Sequence, residues 1–142
     1  IYSRVRFEEG APERDRPLAG QSPYLVNAGF FYQYDDKGIS ASLLYNRIGK
    51  RIESVGVPMQ NQNEDIPDIY EMPRNSLDLT FSKKIGKIVE IKAGIQDMLN
   101  SKVEYKQFVK LTDDKGGKSE REQLIRSYRP GVDINIGVSL RF

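Results

Sequence analysis

The chain has 142 residues, of which 38% are hydrophobic and 30% charged, and this length suits one ordinary domain. It contains neither cysteine nor histidine, which excludes disulfides and thiolate metal sites and removes the commonest general base. We therefore expect no enzymatic activity, no metal site and no cofactor. The net charge of +2, from 22 basic and 20 acidic residues mixed along the sequence, gives no electrostatic footprint for nucleic acid.

Alternation of apolar and polar residues predicts strands through the first third of the chain. A short alternating segment covers residues 1–8, and a long one covers residues 24–35. Residues 35–38 form a tight turn, because Gly38 supplies the positive φ that such turns require. The chain then returns through an alternating segment at residues 39–46. These segments predict an antiparallel hairpin.

The middle of the chain predicts a second hairpin after a long connection. Residues 54–74 contain three prolines and no alternation, which predicts a link of about twenty residues. The second hairpin comprises residues 76–82, a turn at residues 85–87 and residues 89–96. A weaker strand follows at residues 103–111. Residues 112–127 are polar and predict a loop, with a short helical stretch at residues 120–127.

The last eleven residues alternate without interruption from Val132 to Phe142. A tilted strand of about 9 to 11 residues crosses the hydrocarbon core of a bilayer within a closed barrel. We count seven strands, all antiparallel, in an up-and-down meander. An open meander leaves two edges unpaired, and single-chain bacterial barrels close with an even number of strands. The fold class predicted is therefore all-β, a part of a larger transmembrane β-barrel, and the chain is expected to belong to a longer protein.

Several segments together resemble the carboxyl-terminal part of the barrel of a TonB-dependent outer-membrane receptor, of the SusC-like branch. The resemblance covers nearly the whole chain and rests on residues 20–29 (GQSPYLVNAG), 44–52 (LYNRIGKRI), 66–75 (IPDIYEMPRN) and 82–87 (SKKIGK). Two places depart from the family pattern. Asp97-Met98-Leu99-Asn100 stands where many members have an Asn-Leu-Phe-Asn-like turn, and Gly131-Val132 where Gly-Arg is usual.

The resemblance implies a barrel of about twenty-two strands with a plugged lumen, in the outer membrane of a Gram-negative cell. The implied partners are outer-membrane lipid and lipopolysaccharide, the rest of the barrel and its plug, TonB through the missing amino-terminal part, and a surface lipoprotein lid. Strands of this kind face lipid with their apolar side and a hydrated lumen with their polar side. The expected lumen-facing residues are Asp78, Thr80, Glu90, Lys92, Asp133 and Asn135.

The same resemblance implies that Val138, Leu140 and Phe142 form the carboxyl-terminal signal recognised by the barrel-assembly machinery. Tyr24, Tyr34, Tyr45 and Phe142 lie near predicted strand ends, where aromatic girdles sit in membrane barrels. Counted back from the end, the turns at residues 35–38 and 85–87 and the loop at residues 112–127 face outside. In that orientation Lys83, Lys84 and Lys87 could meet lipopolysaccharide phosphates, although a plain charged turn is the better interpretation of these residues.

Two alternatives remain open at the level of sequence. One is a small passive porin or structural barrel of the outer membrane, and the other is a soluble lipocalin-like binding barrel, whose interior would be apolar and whose outside would be polar. A gathering of Glu64, Asp65, Asp68 and Glu71 around a cation is a minor possibility, since calcium needs about 6 to 8 oxygen ligands. Substrate identity cannot be derived from this segment.

Overall fold

A computed structural model describes residues 4–6, 16–57, 66–112 and 118–140. These ranges contain eleven strands, one 3-10 turn at Asp35–Lys37 and no α-helix, and every strand pair is antiparallel. The prediction of an all-β antiparallel fold is therefore confirmed. The strands are β1 (Arg4–Val5), β2 (Arg16–Pro17), β3 (Leu25–Tyr34), β4 (Ile39–Ile48), β5 (Arg51–Ser54), β6 (Ile69–Glu71), β7 (Arg74–Ile85), β8 (Val89–Gln96), β9 (Val103–Thr112), β10 (Lys118–Tyr128) and β11 (Asp133–Leu140).

The chain divides into two compact units that it visits alternately. The five-stranded unit holds one sheet with the order β11-β8-β7-β4-β3, and the four-stranded unit holds a sheet with the order β10-β9-β6-β5 and the small pair β1-β2. Within each of the two larger sheets, neighbouring strands follow one another in chain order once the strands of the other sheet are skipped. Each is an up-and-down meander, and neither is closed among the described strands.

Two short turns fold the five-stranded sheet, and each contains a glycine at positive φ. Gly38 has φ +59°, donates its N–H to the carbonyl of Asp35 at 2.9 Å, and accepts the N–H of Lys84 at 2.8 Å. Gly86 has φ +62° in the turn between β7 and β8. The left-handed conformation costs an L-residue about 1–2 kcal/mol, and glycine avoids that cost. Both turns therefore form where the sequence predicts them.

The segment at residues 112–127 is where the prediction of a loop is wrong. Most of it is β10, which pairs with β9 along its length and has a bulge between Leu124 and Arg126. The helical stretch predicted at residues 120–127 is absent for the same reason. Residues 118–123 of β10 are all polar or charged, and Leu124 and Ile125 are adjacent, so the sequence of this strand shows no alternation of apolar and polar residues.

The predicted link at residues 54–74 also contains regular structure. β6 lies inside it, and Val57 pairs with Ile66 in an isolated bridge. Together with β5 and β10, these elements raise the number of strands above the seven predicted. Of the first predicted strand, residues 1–8, the structure describes residues 4–6 and assigns β1 within them. Arg141 and Phe142 lie outside the described residues.

The buried core of the described residues is small and belongs to the four-stranded unit. It consists of Ile52 at 1% exposure, Val103 at 4% and Tyr105 at 8%. The five-stranded unit contributes no large buried hydrophobic residue to it. Among the ranges described, no helix has the length and apolar character needed to cross a membrane.

Substituting the two turn glycines separates backbone strain from steric conflict. A Cβ on Gly38 would lie 2.8 Å from Cβ of Lys84 and 3.3 Å from its carbonyl oxygen, whereas a Cβ on Gly86 would have no atom within 4 Å. We expect Gly86→Ala to cost about 1 kcal/mol and Gly38→Ala to cost about 2–4 kcal/mol, because only the latter adds overpacking to the dihedral penalty. Urea unfolding followed by circular dichroism measures both; equal losses would contradict the turn geometry.

Candidate functional site

The register of the five-stranded sheet brings its apolar side chains to one side. Partners that stand opposite each other on antiparallel strands share a face, so Ile136, Ala93 and Phe81 lie in one row across β11, β8 and β7. We call this side the apolar face. Its apolar and aromatic members are Val26, Ala28, Phe30, Tyr32, Tyr34, Ile39, Ala41, Leu43, Tyr45, Leu77, Leu79, Phe81, Ile85, Val89, Ile91, Ala93, Ile95, Ile134, Ile136, Val138 and Leu140.

The apolar face is uncovered. None of its residues is buried, and Ile136, Ile134 and Phe30 are 75%, 68% and 67% exposed. Soluble monomers rarely expose a contiguous apolar patch of more than a few hundred Å² unless it meets a partner or a membrane. The described residues provide no layer that covers this five-stranded apolar surface.

Polar groups limit the apolar face at the end where β4 stops and β7 starts. The Tyr45 hydroxyl donates to Oδ1 of Asn75 at 2.9 Å, and Nη1 of Arg47 approaches the same oxygen at 3.4 Å. All three residues lie on the apolar face by register. Tyrosine combines an apolar ring with a polar tip, which suits a boundary between an apolar and a wet region.

A second polar limit lies near the turns. Lys83 falls on the apolar face between Ile39 and Ile91, and its ammonium donates to the carbonyl of Lys37 at 2.6 Å. The ammonium of Lys37 stands 5.8 Å from the ring centroid of Tyr34. Two of the four predicted girdle residues, Tyr34 and Tyr45, thus lie near opposite ends of this face. Tyr24 belongs to the four-stranded unit, and Phe142 lies outside the described residues.

The opposite side of the sheet, the polar face, carries all six residues predicted to face a lumen. Asn135, Gly94 and Thr80 share one row. Asp78, Glu90, Lys92 and Asp133 lie on the same side, because each is an even number of residues from the member of that row on its own strand. Assignment of this face to a lumen stays a prediction. Other members of the polar face are Asn27, Gly29, Gln33, Ser40, Ser42, Asn46, Ser76, Ser82, Lys84, Gln96, Gly137 and Ser139, with Leu25, Phe31, Leu44 and Ile48 as apolar exceptions on β3 and β4.

Hydrogen bonds between neighbouring strands connect the polar face. The hydroxyl groups of Ser40 and Ser82 are 2.7 Å apart, Ser42 bonds to Thr80, and the Asn46 amide donates to the Asn27 side-chain oxygen. These pairs lie directly opposite one another in the register. Since a shift of one residue would place every polar side chain on the apolar face, the pairs help to fix the register.

The turn after β8 is held by two carboxylates. The Asp97 N–H donates to Oδ1 of Asp78 at 2.8 Å, and Nη1 of Arg74 lies 3.4 Å from Oδ2 of Asp97. Asp97 and Asn100 have φ +50° and +42°, in the left-handed region that Asp and Asn tolerate better than most residues. Oδ1 of Asp97 is buried without a hydrogen-bond partner among the described residues. No pattern in the sequence predicts this link between the two strands.

The predicted assembly signal is only partly described. Val138 and Leu140 lie on the apolar face and are 63% and 57% exposed, and Phe142 falls outside the described residues. Leu140 stands opposite Val89, so the end of β11 lies at the same end of the sheet as the turn at residues 86–88. The start of β11 is therefore at the other end. The predicted loop at residues 112–127 belongs to the four-stranded unit, so its side relative to the two short turns stays a prediction.

Charged residues stabilise the four-stranded sheet. Glu71 is buried, with 8% exposure, and its carboxylate is 2.6 Å from Nη2 of Arg51 on the adjacent strand. The Lys50 ammonium stands 3.8 Å from the Phe108 ring centroid and 4.1 Å from that of Tyr70. Since breaking a buried ion pair costs far more than making one gains, Glu71 and Arg51 depend on each other.

Three groups of this unit have raised pKa values. Burial raises the pKa of Tyr70, and Asp68, whose carboxylate accepts from the Tyr70 hydroxyl at 3.5 Å, adds to the effect. Burial also raises the pKa of Tyr105. The hydrogen bond from the Lys106 ammonium to Glu122, 2.6 Å long, raises the pKa of Lys106.

The described residues contain no group of three or more Asp, Glu, His or Cys side chains that could hold a metal ion. Of the four carboxylates considered for a cation, Asp68 accepts the Gly56 N–H at 2.7 Å and Glu71 pairs with Arg51. Glu64 and Asp65 lie outside the described residues. Comparison with known proteins gave no match among family models, curated proteins or solved structures.

We expect the four-stranded unit to lose stability in alkaline solution. Tyr70 and Tyr105 have pKa values raised above the ordinary 10.0, so their contribution is complete below pH 10 and falls as the pH rises through the folded values. Lys106 acts in the same direction above its ordinary 10.5. Absorbance at 295 nm near pH ~10.5 should show more protonated tyrosine in folded than in guanidinium-unfolded protein. Tyr70→Phe and Tyr105→Phe should each reduce that difference; no change in either variant would contradict the assignment.

Proposed function

We propose that the chain is a wall segment of a TonB-dependent transporter that imports a large nutrient, such as a glycan, a peptide or a chelate, across the outer membrane of a Gram-negative cell. The observation that carries the membrane part of this proposal is the uncovered apolar face. The TonB-dependent part rests on the resemblance of residues 20–29, 44–52, 66–75 and 82–87 to SusC-like receptors. On this proposal the segment has no chemistry of its own.

Lipid supplies the environment that the apolar face lacks. At about 25 cal/mol per Å² of apolar surface removed from water, a face of twenty-one mostly apolar side chains is strongly unfavourable in solution and favourable against acyl chains. The polar face then borders a hydrated lumen or a plug inside it. This arrangement of apolar-out and polar-in strands is characteristic of outer-membrane barrels.

The height of the apolar face fits a bilayer. On β7 the face runs from Leu77 to Ile85, eight residue steps that correspond to about 26 Å along the strand at ~3.3 Å per residue. A strand tilted by about 40° spans roughly 20 Å of that length along the membrane normal between the outermost Cα atoms, and the side chains at both ends extend it towards the apolar band of about 25 Å in outer-membrane barrels.

The outer edges of β3 and β11 require further strands. Within the described part of the chain neither edge is paired, and an open sheet edge is not viable in hydrocarbon because its backbone groups have no water to bind. On this proposal the remaining strands of a barrel of about twenty-two close both edges, and a plug fills the lumen. The energy-coupling protein TonB acts on that plug, and a surface lipoprotein covers the outer opening.

The topology of the five-stranded sheet favours an orientation opposite to that expected from counting strands. Outer-membrane barrels have short turns on the periplasmic side and longer loops outside. Both short turns of this sheet, at residues 35–38 and 86–88, lie at the end where β11 finishes. We therefore assign this end to the periplasm and the opposite end, nearest to Tyr45 and Asn75, to the lipopolysaccharide side.

Placing a charge on the apolar face tests its contact with lipid. Ile136→Arg changes a side chain that is 75% exposed, so it is harmless if the face meets water. Against lipid we expect it to destabilise the folded barrel by about 2–4 kcal/mol and to lower the folded fraction recovered in vesicles. Asn135→Arg, the adjacent position on the polar face, is the matched control and should have little effect.

A soluble barrel with an apolar interior would also be destabilised by Ile136→Arg, so the environment must be probed directly. The segment contains no cysteine, and single cysteines at positions 136 and 135 can carry a bimane label, with any cysteine elsewhere in the full-length polypeptide changed to serine. We expect brominated phosphatidylcholine to quench the label at position 136 and aqueous iodide to quench that at position 135. Protection of position 136 from both quenchers would support a lipocalin-like interior instead.

Conductance of the full-length polypeptide separates an energised transporter from a passive porin. A plugged barrel should show no steady open current in a planar bilayer with potassium chloride on both sides. A steady current that needs no energy source would support the porin and contradict the transporter. The same polypeptide with its plug deleted is the positive control, and it should conduct because the lumen of a barrel of about twenty-two strands is then open.

A further inference from the structure

Four lysines gather at the turn end of the five-stranded sheet. Lys37 ends the 3-10 turn between β3 and β4, Lys83 and Lys84 lie near the end of β7, and Lys87 lies in the turn that follows. Strand pairing brings the two turns together, since Ile39 stands opposite Lys83 and the Lys84 N–H donates to the carbonyl of Gly38 at 2.8 Å. The cluster is thus a feature of the sheet and not of one turn alone.

Lys83 has an unusual position in this cluster. It is the only charged residue among the described members of the apolar face between Arg47 and the turns, and its neighbours across the strands are Ile39 and Ile91. Its ammonium leaves that face and reaches the carbonyl of Lys37 in the turn at 2.6 Å. A lysine that lays its stem on an apolar surface and extends its charge towards the polar boundary is snorkelling, as at membrane interfaces.

The positive charge of the cluster is not neutralised by ion pairs. None of the carboxylates in the described ranges forms a salt bridge with any of the four lysines. Asp35 accepts the Gln33 amide at 2.6 Å, and Glu90 is 3.4 Å from the ammonium of Lys92. Counting Asp35 and Asp36 of the hairpin against the four lysines leaves a formal charge of 4 − 2 = +2 at this end.

We propose that this turn end binds the phosphate groups of anionic phospholipids, with Lys37, Lys83 and Lys87 as the principal contacts and Tyr34 at the level of the headgroups. The inference rests on the proposed membrane function and adds a lipid preference to it. Its basis is the meeting of two features at one boundary: the apolar face ends there, and the ammonium groups beside it form no ion pair with a described carboxylate. Lysines near an anionic membrane surface each strengthen binding severalfold, and tyrosine is enriched at this depth.

The orientation argued above decides which lipid is involved. The short turns face the periplasm, so the adjoining leaflet is the inner one, which consists of phospholipid. Lipopolysaccharide phosphates would instead meet the end that carries Tyr45 and Arg47. A zwitterionic headgroup also contains a phosphate, but its choline or ethanolamine cancels the charge, so the cluster should distinguish phosphatidylglycerol from phosphatidylcholine.

Lipid-selective quenching tests the inference. The full-length polypeptide with bimane on Tyr34→Cys, and no other cysteine, is reconstituted in vesicles of equal parts phosphatidylglycerol and phosphatidylcholine, with one lipid brominated at a time. At low salt we expect the relative binding constant at the site beside the label, derived from the quenching, to be about threefold higher for brominated phosphatidylglycerol than for brominated phosphatidylcholine. The preference should shrink at about 0.5 M salt, because screening shortens the Debye length.

Lysine variants test whether the preference for phosphatidylglycerol depends on the cluster. Lys37→Gln, Lys83→Gln and Lys87→Gln combined should remove the preference while the label stays quenched by both lipids. Lys92→Gln, which changes a lysine on the polar face of the same sheet, is the matched control and should leave the preference intact. Equal quenching by the two lipids in the unmodified protein, or a preference that survives the triple variant, would overturn the lipid inference alone. A label quenched by neither lipid would instead overturn the proposed membrane function.

Discussion

The structure depends on the agreement between side-chain period and strand register in the five-stranded sheet. Each of its strands alternates with a period of two, and each pairing aligns the apolar positions of one strand with those of the next. Apolar side chains of five strands then form one surface, and serines, threonine and asparagines bond across the other. No described layer covers the apolar surface, and on the proposed function the lipid that it contacts stabilises it.

The four-stranded unit is stabilised in a different way. It has the few large buried hydrophobic residues, Ile52, Val103 and Tyr105, and supplements them with a buried ion pair and with cations stacked on aromatic rings. Such contacts tolerate water at their margins, whereas an exposed apolar sheet does not. The contrast between the two units is consistent with one sheet meeting hydrocarbon and with the other carrying charges in a wet environment.

The sequence was sufficient to predict a strand where that strand has one apolar and one polar face. β3, β4, β7, β8 and β11 follow the predicted alternation, and glycines at positive φ mark both short turns. β10 was missed because its residues 118–123 are all polar or charged and its Leu124 and Ile125 are adjacent rather than alternating, and β6 because three residues are too short to show a period. The hydrogen bonds of Asn75 with Tyr45 and of Lys83 with the Lys37 carbonyl could not be predicted, since they depend on the pairing of strands that are far apart in sequence.

Two polar residues of β7 bound a stretch of the apolar face that has only apolar side chains, and Ile85 continues the face beyond the second of them. On β7 the first is Asn75 and the last is Lys83, with only Leu77, Leu79 and Phe81 on that side between them. Eight residue steps correspond to about 26 Å along the strand and to roughly 20 Å after a tilt of about 40°. The Lys83 stem carries its ammonium beyond its own Cα towards the turn, where it meets the Lys37 carbonyl, so the span without polar atoms is longer than the backbone spacing. Together, side-chain direction and strand spacing bring this stretch towards the apolar band of about 25 Å that outer-membrane barrels have, which is the environment that the proposed function assigns to it.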